Sequence, residues 1–480
     1  MNKRFVANVS LLFVVNLLVK PFWIFGIDRT VQNTVGAAAY GIYFALFNYS
    51  FLLQTLLDFG VNNYNSRAVA QNRHWLDEHF GGIMAVKLLL AAGYLLLCFT
   101  GAVLIGYSRF QLHLLLLLCI NQVLVSYIGY FRSNLQGLHL FKADSLLSVL
   151  DKLLMIGICA VILWSGLMPF PLQVAWFVYA QTAGYALTFV AGLAIAGRYL
   201  HRPVFNLDYR YLVSILRKSY PFALAGVLMS VYNRIDTVML EKMLPADGAH
   251  EAGIYASAYR LLDAVNMIGV LLSTILLPMF SRMLIKKEPV APLVSFSAKT
   301  LYALATAGAV CCYFYSNQLM HLLYVEANGY YASVFGWLML SFIAISSVYV
   351  FGSLLAANHN LWHVNTIAVC SVVLNVALNY LLIPQYKALG AAWAALLTQS
   401  LAATLFAIAA VVKLRLRVAP LTVVAALVYA GVYAALANAG SKYLPLPWYA
   451  SFLLTLAAAL PIAWALGLLQ LNKVWQTGNN

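Results

Sequence analysis

Charged side chains inside long apolar runs are the first feature of this sequence that indicates chemistry. Four of them lie in two consecutive segments, about 219–242 and 252–281: Arg234, Asp236, Arg260 and Asp263. About 20 apolar residues suffice to cross a bilayer, so each segment is long enough to do so. A charge near the bilayer centre costs about 2.5–3.5 kcal/mol on insertion scales, so such groups face a bundle interior or a wet cavity.

The composition identifies the class of protein in which these charges lie. The chain has 480 residues, of which 63% are hydrophobic and only 9% are charged, with a mean hydropathy of +0.84. Soluble domains carry about 25% charged residues. The sequence therefore predicts a polytopic membrane protein and excludes an ordinary soluble enzyme.

Fourteen apolar segments with short connections predict the architecture. Only helices or closed barrels satisfy backbone polar groups in lipid, so the expected fold is an all-α polytopic bundle of about 14 transmembrane helices. The predicted spans are 5–25, 40–60, 81–106, 111–133, 145–165, 170–197, 219–242, 252–281, 293–316, 335–357, 361–383, 388–412, 418–439 and 447–470.

The distribution of basic residues predicts the orientation. With the N-terminus inside, 18 of the 29 Lys and Arg residues fall in inner segments, 5 fall in outer connections, and 6 lie within spans. Basic residues concentrate on the cytoplasmic side of membrane proteins. Both termini are therefore expected to be cytoplasmic. The net charge of +15 follows from this topology and requires no nucleic-acid partner.

A weak internal repeat accompanies the helix pattern. Gly41-Ile42-Tyr43 opens the second predicted span, and Gly253-Ile254-Tyr255 opens the eighth, six helices later. A match of three residues also arises by chance. Its placement at equivalent positions suggests two related halves, which are common in transporters.

Five longer stretches of the sequence have a recognisable order and composition. They are YGIYFALFNYSFLLQTLLDFGVNNYNSRAVAQ (40–71), PFALAGVLMSVYNRIDTVML (221–240), AGIYASAYRLLDAVN (252–266), LLPMFSR (276–282) and NVALNYLLIPQYKALGAAWAALLTQS (375–400). Through these stretches the chain resembles the polysaccharide transporter family, the Wzx-type flippases of lipid-linked oligosaccharides, which belongs to the MOP superfamily together with the MATE exporters and the lipid II flippases. The resemblance in helix number and motif order covers nearly the whole chain.

The resemblance implies two pseudo-symmetric six-helix lobes, at 1–200 and 205–415, with two additional helices at 418–480. It also implies alternating access around a central cavity, and a sugar repeat unit on undecaprenyl diphosphate as cargo, for O-antigen, capsule or exopolysaccharide. The expected location is the bacterial inner membrane. We expect a monomer surrounded by membrane lipid, with a polysaccharide polymerase and a chain-length regulator as candidate protein partners.

Three cations are candidate ligands of the lipid diphosphate. Arg234 and Arg260 lie on consecutive spans, and Lys20 lies two-thirds along the first span. Arginine suits phosphate because its planar guanidinium donates two parallel hydrogen bonds. The alternative is that each cation simply pairs with an acid. Arg260 and Asp263 share a helix face, and Asp236 is within reach of Arg260.

Other polar and aromatic side chains have weaker signals. Candidates for the sugar path are Asn48, Gln54, Asn375, Asn379, Trp23 and Tyr232. Hydrogen bonds between helices are the competing interpretation of the amides. Lys87 and Lys152 are interpreted as extending along their helices to the interface. Asp58 is expected to cap a helix or to pair with Arg67.

Motifs of enzymatic chemistry are missing from the sequence. It contains no Walker A sequence, no H-E-x-x-H and no paired cysteines, and the six cysteines lie in apolar segments as packing or lipid-facing residues. We therefore expect a transporter and not an enzyme. Two alternatives remain: a MATE-type cation-coupled multidrug exporter, and a membrane polysaccharide polymerase or ligase. A polymerase or ligase usually carries a large external loop, which the predicted connections do not provide.

Energy coupling is expected to involve no cofactor beyond an ion. An inside-negative potential assists the outward movement of an anion by about 2.3 kcal/mol per charge per 100 mV. Resetting the conformation could still use H⁺ or Na⁺, and Asp236 or Asp263 are the candidate carriers. The sequence does not rank the two ions.

The predicted topology can be tested by labelling single cysteines in intact cells. Residues 198–218 should be accessible only from the cytoplasm, and residues 244–251 only from outside, because the basic-residue bias places them there. External labelling of the 198–218 segment would overturn the fourteen-span topology.

Overall fold

Helices make up the secondary structure of the described residues, and no strand occurs among them. The computed structural model describes residues 18–19, 21–166, 172–199, 209–358, 360–416 and 419–469. Contacts between residues divide the chain into two compact units, unit 1 at 1–241 and unit 2 at 242–480. The all-α prediction is confirmed.

The first named element among the described residues of unit 1 is a π-helical segment, Trp23–Asp28, and a 3₁₀ turn, Gln54–Leu57, separates the second and third α-helices. Its described α-helices are α1 (Arg29–Val35), α2 (Ala37–Leu52), α3 (Val61–Gln71), α4 (His74–Ile105), α5 (Arg109–Gly137), α6 (Phe141–Trp164), α7 (Val174–Gly197) and α8 (Tyr209–Met243), the last of which ends two residues past the division.

Unit 2 contains the remaining described α-helices. They are α9 (Gly248–Ile285), α10 (Ala291–Phe314), α11 (Ser316–Leu323), α12 (Gly329–Ala357), α13 (Leu361–Leu414), α14 (Pro420–Tyr443) and α15 (Trp448–Ala465). The division at Glu241 assigns almost all of α8 to unit 1, whereas the predicted lobes divide between 200 and 205. The lobe boundaries stay a prediction.

Ten of the described helices are long and apolar enough to cross a membrane. One of them, α13, contains two predicted spans, which meet at Lys387, where the backbone is not helical (φ 52°, ψ −130°). The seventh predicted span falls on α8, whose apolar sequence is interrupted by Arg234 and Asp236 and which is not among the ten. The chain is a multi-pass membrane protein.

The first two predicted spans differ from the observed helices. The span predicted to end at residue 25 continues through the π-helical segment and α1 to Val35, and Gly36 then turns the chain with φ 81°. The span predicted over 40–60 is wrong as a single helix. It breaks after Leu52, and α3 starts only at Val61. Hydropathy does not locate such a break, because the residues next to it, Leu52, Leu53, Leu56 and Leu57, are all apolar.

Close approach of α3 to α5 builds the core of unit 1. Gly137 at the end of α5 leaves room for the backbone of α3, since a methyl group there would lie 2.8 Å from the Ser66 carbonyl oxygen and 2.7 Å from Val69 Cβ. Beside it, Asn65 Nδ2 donates to Ser133 Oγ at 2.9 Å. Small residues and interhelical hydrogen bonds are the usual means of joining membrane helices.

Two tyrosines attach α14 to α10 in unit 2. Tyr429 and Tyr433 are fully buried, and their hydroxyls donate to the carbonyl oxygens of Ala303 at 3.0 Å and Ala307 at 3.2 Å. A buried tyrosine hydroxyl needs a partner, and a four-residue spacing puts both on one helix face. These two bonds join α14 to α10.

The repeated Gly-Ile-Tyr sequence occupies corresponding places near the starts of α2 and α9. Gly41 is the fifth residue of α2, and Gly253 is the sixth residue of α9. Both tyrosines that follow, Tyr43 and Tyr255, are buried. The two helices then diverge, because α2 has 16 residues and α9 continues for 38.

Replacing Gly137 by Ala should destabilise the protein by about 1–3 kcal/mol, because the added methyl would push α3 away from α5. Gly157→Ala is the matched control, since nothing lies within 4 Å of its added methyl and alanine favours a helix. Thermal unfolding in detergent measures both. Equal stability of the two variants would contradict the close approach.

Candidate functional site

Arg234 on α8 contacts two side chains of α2. Its Nη1 donates to Asn48 Oδ1 of α2 at 3.1 Å, and its guanidinium carbon lies 4.5 Å from the centroid of the Phe51 ring. The side chain is half-buried. A cation over a ring gains about 0.5–2 kcal/mol, depending on desolvation. Two neutral groups thus orient an arginine that remains partly accessible.

Asn48 and Thr237 join α2 to α8 beside this arginine. Both side chains are 1% exposed, and Asn48 Nδ2 donates to Thr237 Oγ1 at 3.1 Å. The Asn48 amide therefore donates to α8 with its nitrogen and accepts from α8 with its oxygen. Asp236 precedes Thr237 and is also 1% exposed. Asn48 therefore forms the interhelical hydrogen bonds that were the competing interpretation of this amide, and its place in the sugar path stays a prediction.

A row of five aromatic rings runs from Arg234 through unit 1. The ring centroids of consecutive members are 5.1–6.1 Å apart, with stacked, tilted and edge-to-face geometries. We call this set the aromatic row; its members in order are Phe51, Phe47, Tyr43, Phe177 and Trp23. Phe47 and Phe51 are half-buried, whereas the other three are at most 7% exposed. Only the part near Arg234 offers ring surface.

Lys152 on α6 lies at the other end of the aromatic row. Its Nζ lies 5.4 Å from the Trp23 ring centroid and 5.1 Å from that of Tyr185, whose hydroxyl oxygen accepts from it at 3.1 Å. Asp151 Oδ2 is 3.5 Å away. Trp23 therefore stacks on Phe177 and borders a cation, so its role in binding sugars stays a prediction. The interpretation that Lys152 extends to the interface is wrong.

Lys87 on α4 was also expected to extend to the interface, and it does not. Its side chain is 1% exposed and forms an ion pair with Asp58 at 3.0 Å. Asp58 in turn accepts from the backbone N–H of Asn62 at 3.3 Å. The expected pairing of Asp58 is thus corrected from Arg67 to Lys87, and the N-cap residue of α3 is Gly60 rather than Asp58. Hydropathy places a lysine along a span but does not show which neighbouring helix faces it.

The remaining predicted site residues are distributed over both units. In unit 1, Gln54 is half-buried in the 3₁₀ turn, and Tyr232 is 3% exposed on α8. In unit 2, Arg260 and Asp263 are half-buried on α9, three residues apart. Lys20 lies outside the described residues. Binding roles for all of these residues stay predictions.

Asn375 and Asn379 form a buried amide pair on α13. Both are fully buried, and Asn379 Nδ2 donates to Asn375 Oδ1 at 3.1 Å. Their spacing of four residues places them on the same helix face. The contact lies within one helix, and the assignment of either residue to the sugar path stays a prediction.

A polar cluster joins two connections at one end of unit 2. Lys387 Nζ donates to Asp247 Oδ2 at 2.7 Å and lies 3.8 Å from Glu251 Oε1. Glu251 Oε2 accepts from the Tyr330 hydroxyl at 2.8 Å and from the Ala388 N–H at 3.2 Å. The hydrogen bond from Lys387 lowers the pKa of the Asp247 carboxyl below its usual value. This cluster fixes the kink of α13 against the start of α9.

Metal ligation has no support among the described residues, where no group of three or more His, Cys, Asp or Glu side chains is placed to hold an ion. All six cysteines are free thiols. Cys98, Cys119, Cys159 and Cys311 are buried, Cys312 is half-buried and Cys370 is exposed.

Comparison with known proteins identifies the family. The family described as "Polysaccharide biosynthesis protein" matches residues 5–284, more than half of the chain. The chain belongs to this family. The matched region includes the whole of the aromatic row, Arg234 and Arg260. No curated protein sequence matches the chain.

Solved structures share the fold at low sequence identity. The lipid II flippase MurJ in an inward closed conformation has a TM-score of 0.69 and 13% identity, with 96% of this chain and 97% of that chain covered. An inward-facing multidrug resistance MATE family transporter of the MOP superfamily has a TM-score of 0.64 and 15% identity, covering 85% and 97%. The Vibrio cholerae MATE transporter VcmN in its bent form has a TM-score of 0.57 and 16% identity, covering 85% and 98%.

Proposed function

We propose that this protein is a flippase that moves undecaprenyl-diphosphate-linked oligosaccharide repeat units from the cytoplasmic to the outer leaflet, by alternating access, for surface polysaccharide synthesis. The observation that carries this proposal is Arg234, a half-buried guanidinium oriented by Asn48 and Phe51 inside a membrane protein of the polysaccharide biosynthesis family. A lipid diphosphate needs such a cation, because an unpaired anion is costly in an apolar interior.

The geometry at Arg234 suits a phosphate ligand. One N–H of the guanidinium donates to Asn48, and a guanidinium has five N–H donors in a planar arrangement. The Phe51 ring lies against the guanidinium at 4.5 Å and restricts its plane. A planar donor of fixed orientation is what bidentate recognition of phosphate requires. The half-buried Phe47 and Phe51 rings provide apolar faces beside it, against which a sugar can stack.

The fold alone does not separate a flippase from a MATE-type exporter, because solved structures of both kinds resemble this chain. The family match and the cations of unit 1 favour the anionic cargo. A carboxylate facing the cavity would favour an exporter of organic cations. In this chain two cations, Arg234 and Lys152, border the aromatic row at its two ends. We accordingly propose a transporter and not a polymerase or ligase.

The cellular setting belongs to the same proposal. A flippase for lipid-linked sugars acts in the bacterial inner membrane, and the bias of basic residues places both termini in the cytoplasm. The lipid-linked oligosaccharide is the cargo, and a polysaccharide polymerase and a chain-length regulator would act on the exported product. We propose that the flippase functions as a monomer and uses H⁺ or Na⁺ to reset its conformation.

Arg234→Lys keeps the charge but loses the planar donor. Export of the lipid-linked glycan should therefore fall about tenfold or more, which corresponds to the loss of one charged hydrogen bond to the cargo. Arg234→Ala should abolish export, with the protein still inserted at normal levels. Complementation of a strain that lacks its own flippase measures export, and immunoblotting measures the protein.

Arg198 provides the matched control for this experiment, since it is exposed at the end of α7. Arg198→Lys and Arg198→Ala should export like the parent protein. Normal export by a well-expressed Arg234→Ala variant would show that this arginine has only a structural role.

Asp236→Asn and Asp263→Asn test the ion coupling. If one of these carboxylates carries the coupling ion, its amide variant should still bind the lipid-linked glycan but lose the H⁺ or Na⁺ dependence of transport. Glu78→Gln, at an exposed position of α4, is the control. Reconstituted vesicles with imposed ion gradients provide the measurement, and an unchanged ion dependence in both variants would remove these two carriers.

A further inference from the structure

Lys87 forms a closed polar cluster with two neighbouring elements of unit 1. Its Nζ donates to Asp58 Oδ1 at 3.0 Å, to Ser126 Oγ at 2.9 Å and to the Leu57 carbonyl oxygen at 3.2 Å. An ammonium group has three N–H donors, so each one has an acceptor here. With 1% of the side chain exposed, little of this cation is available to a ligand. The positions of its acceptors show which part of the backbone Lys87 holds.

Two of these acceptors, Leu57 and Asp58, lie at the break between α2 and α3, and the third, Ser126, lies on α5. Phe59 and Gly60 both have left-handed backbones, with φ of 46° and 78°. This conformation costs about 1–2 kcal/mol for a residue other than glycine, so Phe59 does not favour the break by itself. Lys87 and Ser126 both donate to the Leu57 carbonyl, and Asp58 accepts from the first turn of α3. Contacts from α4 and α5 therefore hold the break.

The two helices that meet at this break have different neighbours. Beyond the break, α3 lies directly against the end of α5, where Gly137 permits backbone contact and Asn65 bonds Ser133. Before the break, α2 is bonded to α4 through Tyr49, to α7 through Tyr43 and to α8 through Asn48. Because α3 and α5 are joined by their close contact, a change of angle at the break would appear as movement of α2 relative to both.

A second contact connects the break itself to α8. Thr55 of the 3₁₀ turn lies so close to Gly226 that a methyl group on this glycine would be 2.8 Å from Thr55 Cγ2. Gly226 precedes Arg234 by eight residues, about 12 Å along a helix. The break and the arginine site thus both contact α8, the break at Gly226 and α2 at Arg234.

We propose that Lys87 is a positioning residue for transport: its ion pair with Asp58 holds the break, sets the angle of α2, and so places Asn48 and Phe51 against Arg234. The role in transport rests on the proposed function, whereas the effect on α2 does not. A buried ion pair is seldom the most stable way to fill a core, and apolar residues of similar volume often do as well or better. Strained backbone persists only where surrounding contacts over-determine it, and such positions cluster at functional and switch regions.

Distances between spin labels test the proposal without any substrate. One pair of labels, at Ala38 of α2 and Leu116 of α5, reports the angle of α2. A second pair, at Gln71 of α3 and Leu116, reports the fixed side, and all three positions are exposed. Cys312 and Cys370 are replaced by Ser in the full-length protein, because the other four thiols are buried. Lys87→Met should shift or broaden the first distance distribution and leave the second unchanged.

Three further variants separate the ion pair from general damage. Asp58→Asn/Lys87→Met removes both charges, so it leaves no buried unpaired ion and should move α2 as the single variant does. Ser126→Ala removes one acceptor and one donor to Leu57, and gives a milder shift if Lys87→Met does not fold. Lys142→Met, at an exposed lysine of α6, should leave both distances unchanged.

Each outcome decides the proposal. A shift confined to the Ala38–Leu116 distance, with loss of export in the same variants, supports it. An unchanged Ala38–Leu116 distance in the single and double variants overturns it, and so does equal broadening of both distances, which would show general loosening. A shift with normal export overturns the role in transport. If the parent protein moves no lipid-linked glycan, the proposed function fails while the distance result stands.

Discussion

A cation inside an apolar helix bundle needs a compensating group within reach of its own side chain, because an uncompensated charge is costly there. This constraint organises unit 1. Lys87 donates to three acceptors around a helix break. Lys152 lies against the rings of Trp23 and Tyr185 and beside the Asp151 carboxylate. Arg234 lies between the Asn48 amide and the Phe51 ring. The helices that supply these partners are thereby fixed relative to one another, so the charges and the packing of unit 1 depend on each other.

These cations differ in how accessible they are to a ligand. Lys87 is 1% exposed and has an acceptor for each N–H, so its charge is used within the protein. Arg234 is half-buried, donates to Asn48, and presents a planar group held by Phe51. The cost of enclosing a charge in an apolar interior therefore has two consequences in unit 1. A fully enclosed charge stabilises a particular backbone geometry, and a partly enclosed charge can bind an anion.

The fold sets the frame for these charges without deciding the cargo. Structures of a lipid II flippase and of multidrug transporters both resemble this chain at identities of 13–16%. Lipid II and drugs are different cargoes, so specificity must come from side chains that the common backbone positions. This chain belongs to the polysaccharide biosynthesis family. The side chains in question are the half-buried Arg234 and the two partly accessible rings beside it, Phe47 and Phe51. The sign of the charge and its accessibility are thus the features that favour an anionic lipid.

The sequence by itself determined the class, the helical fold and the family, because hydropathy over some 20 residues and the order of motifs are local properties of a chain. It also made Arg234 a candidate ligand, since a charge within an apolar run is visible without coordinates, and this role stays a prediction. It did not show that Lys87 meets Asp58, that Asn48 holds Arg234, or that α2 ends at Leu52. Those facts were decided by tertiary structure. Each depends on which residues of distant segments face one another, and a lysine has the same hydropathy whether it reaches the interface or a carboxylate on a neighbouring helix.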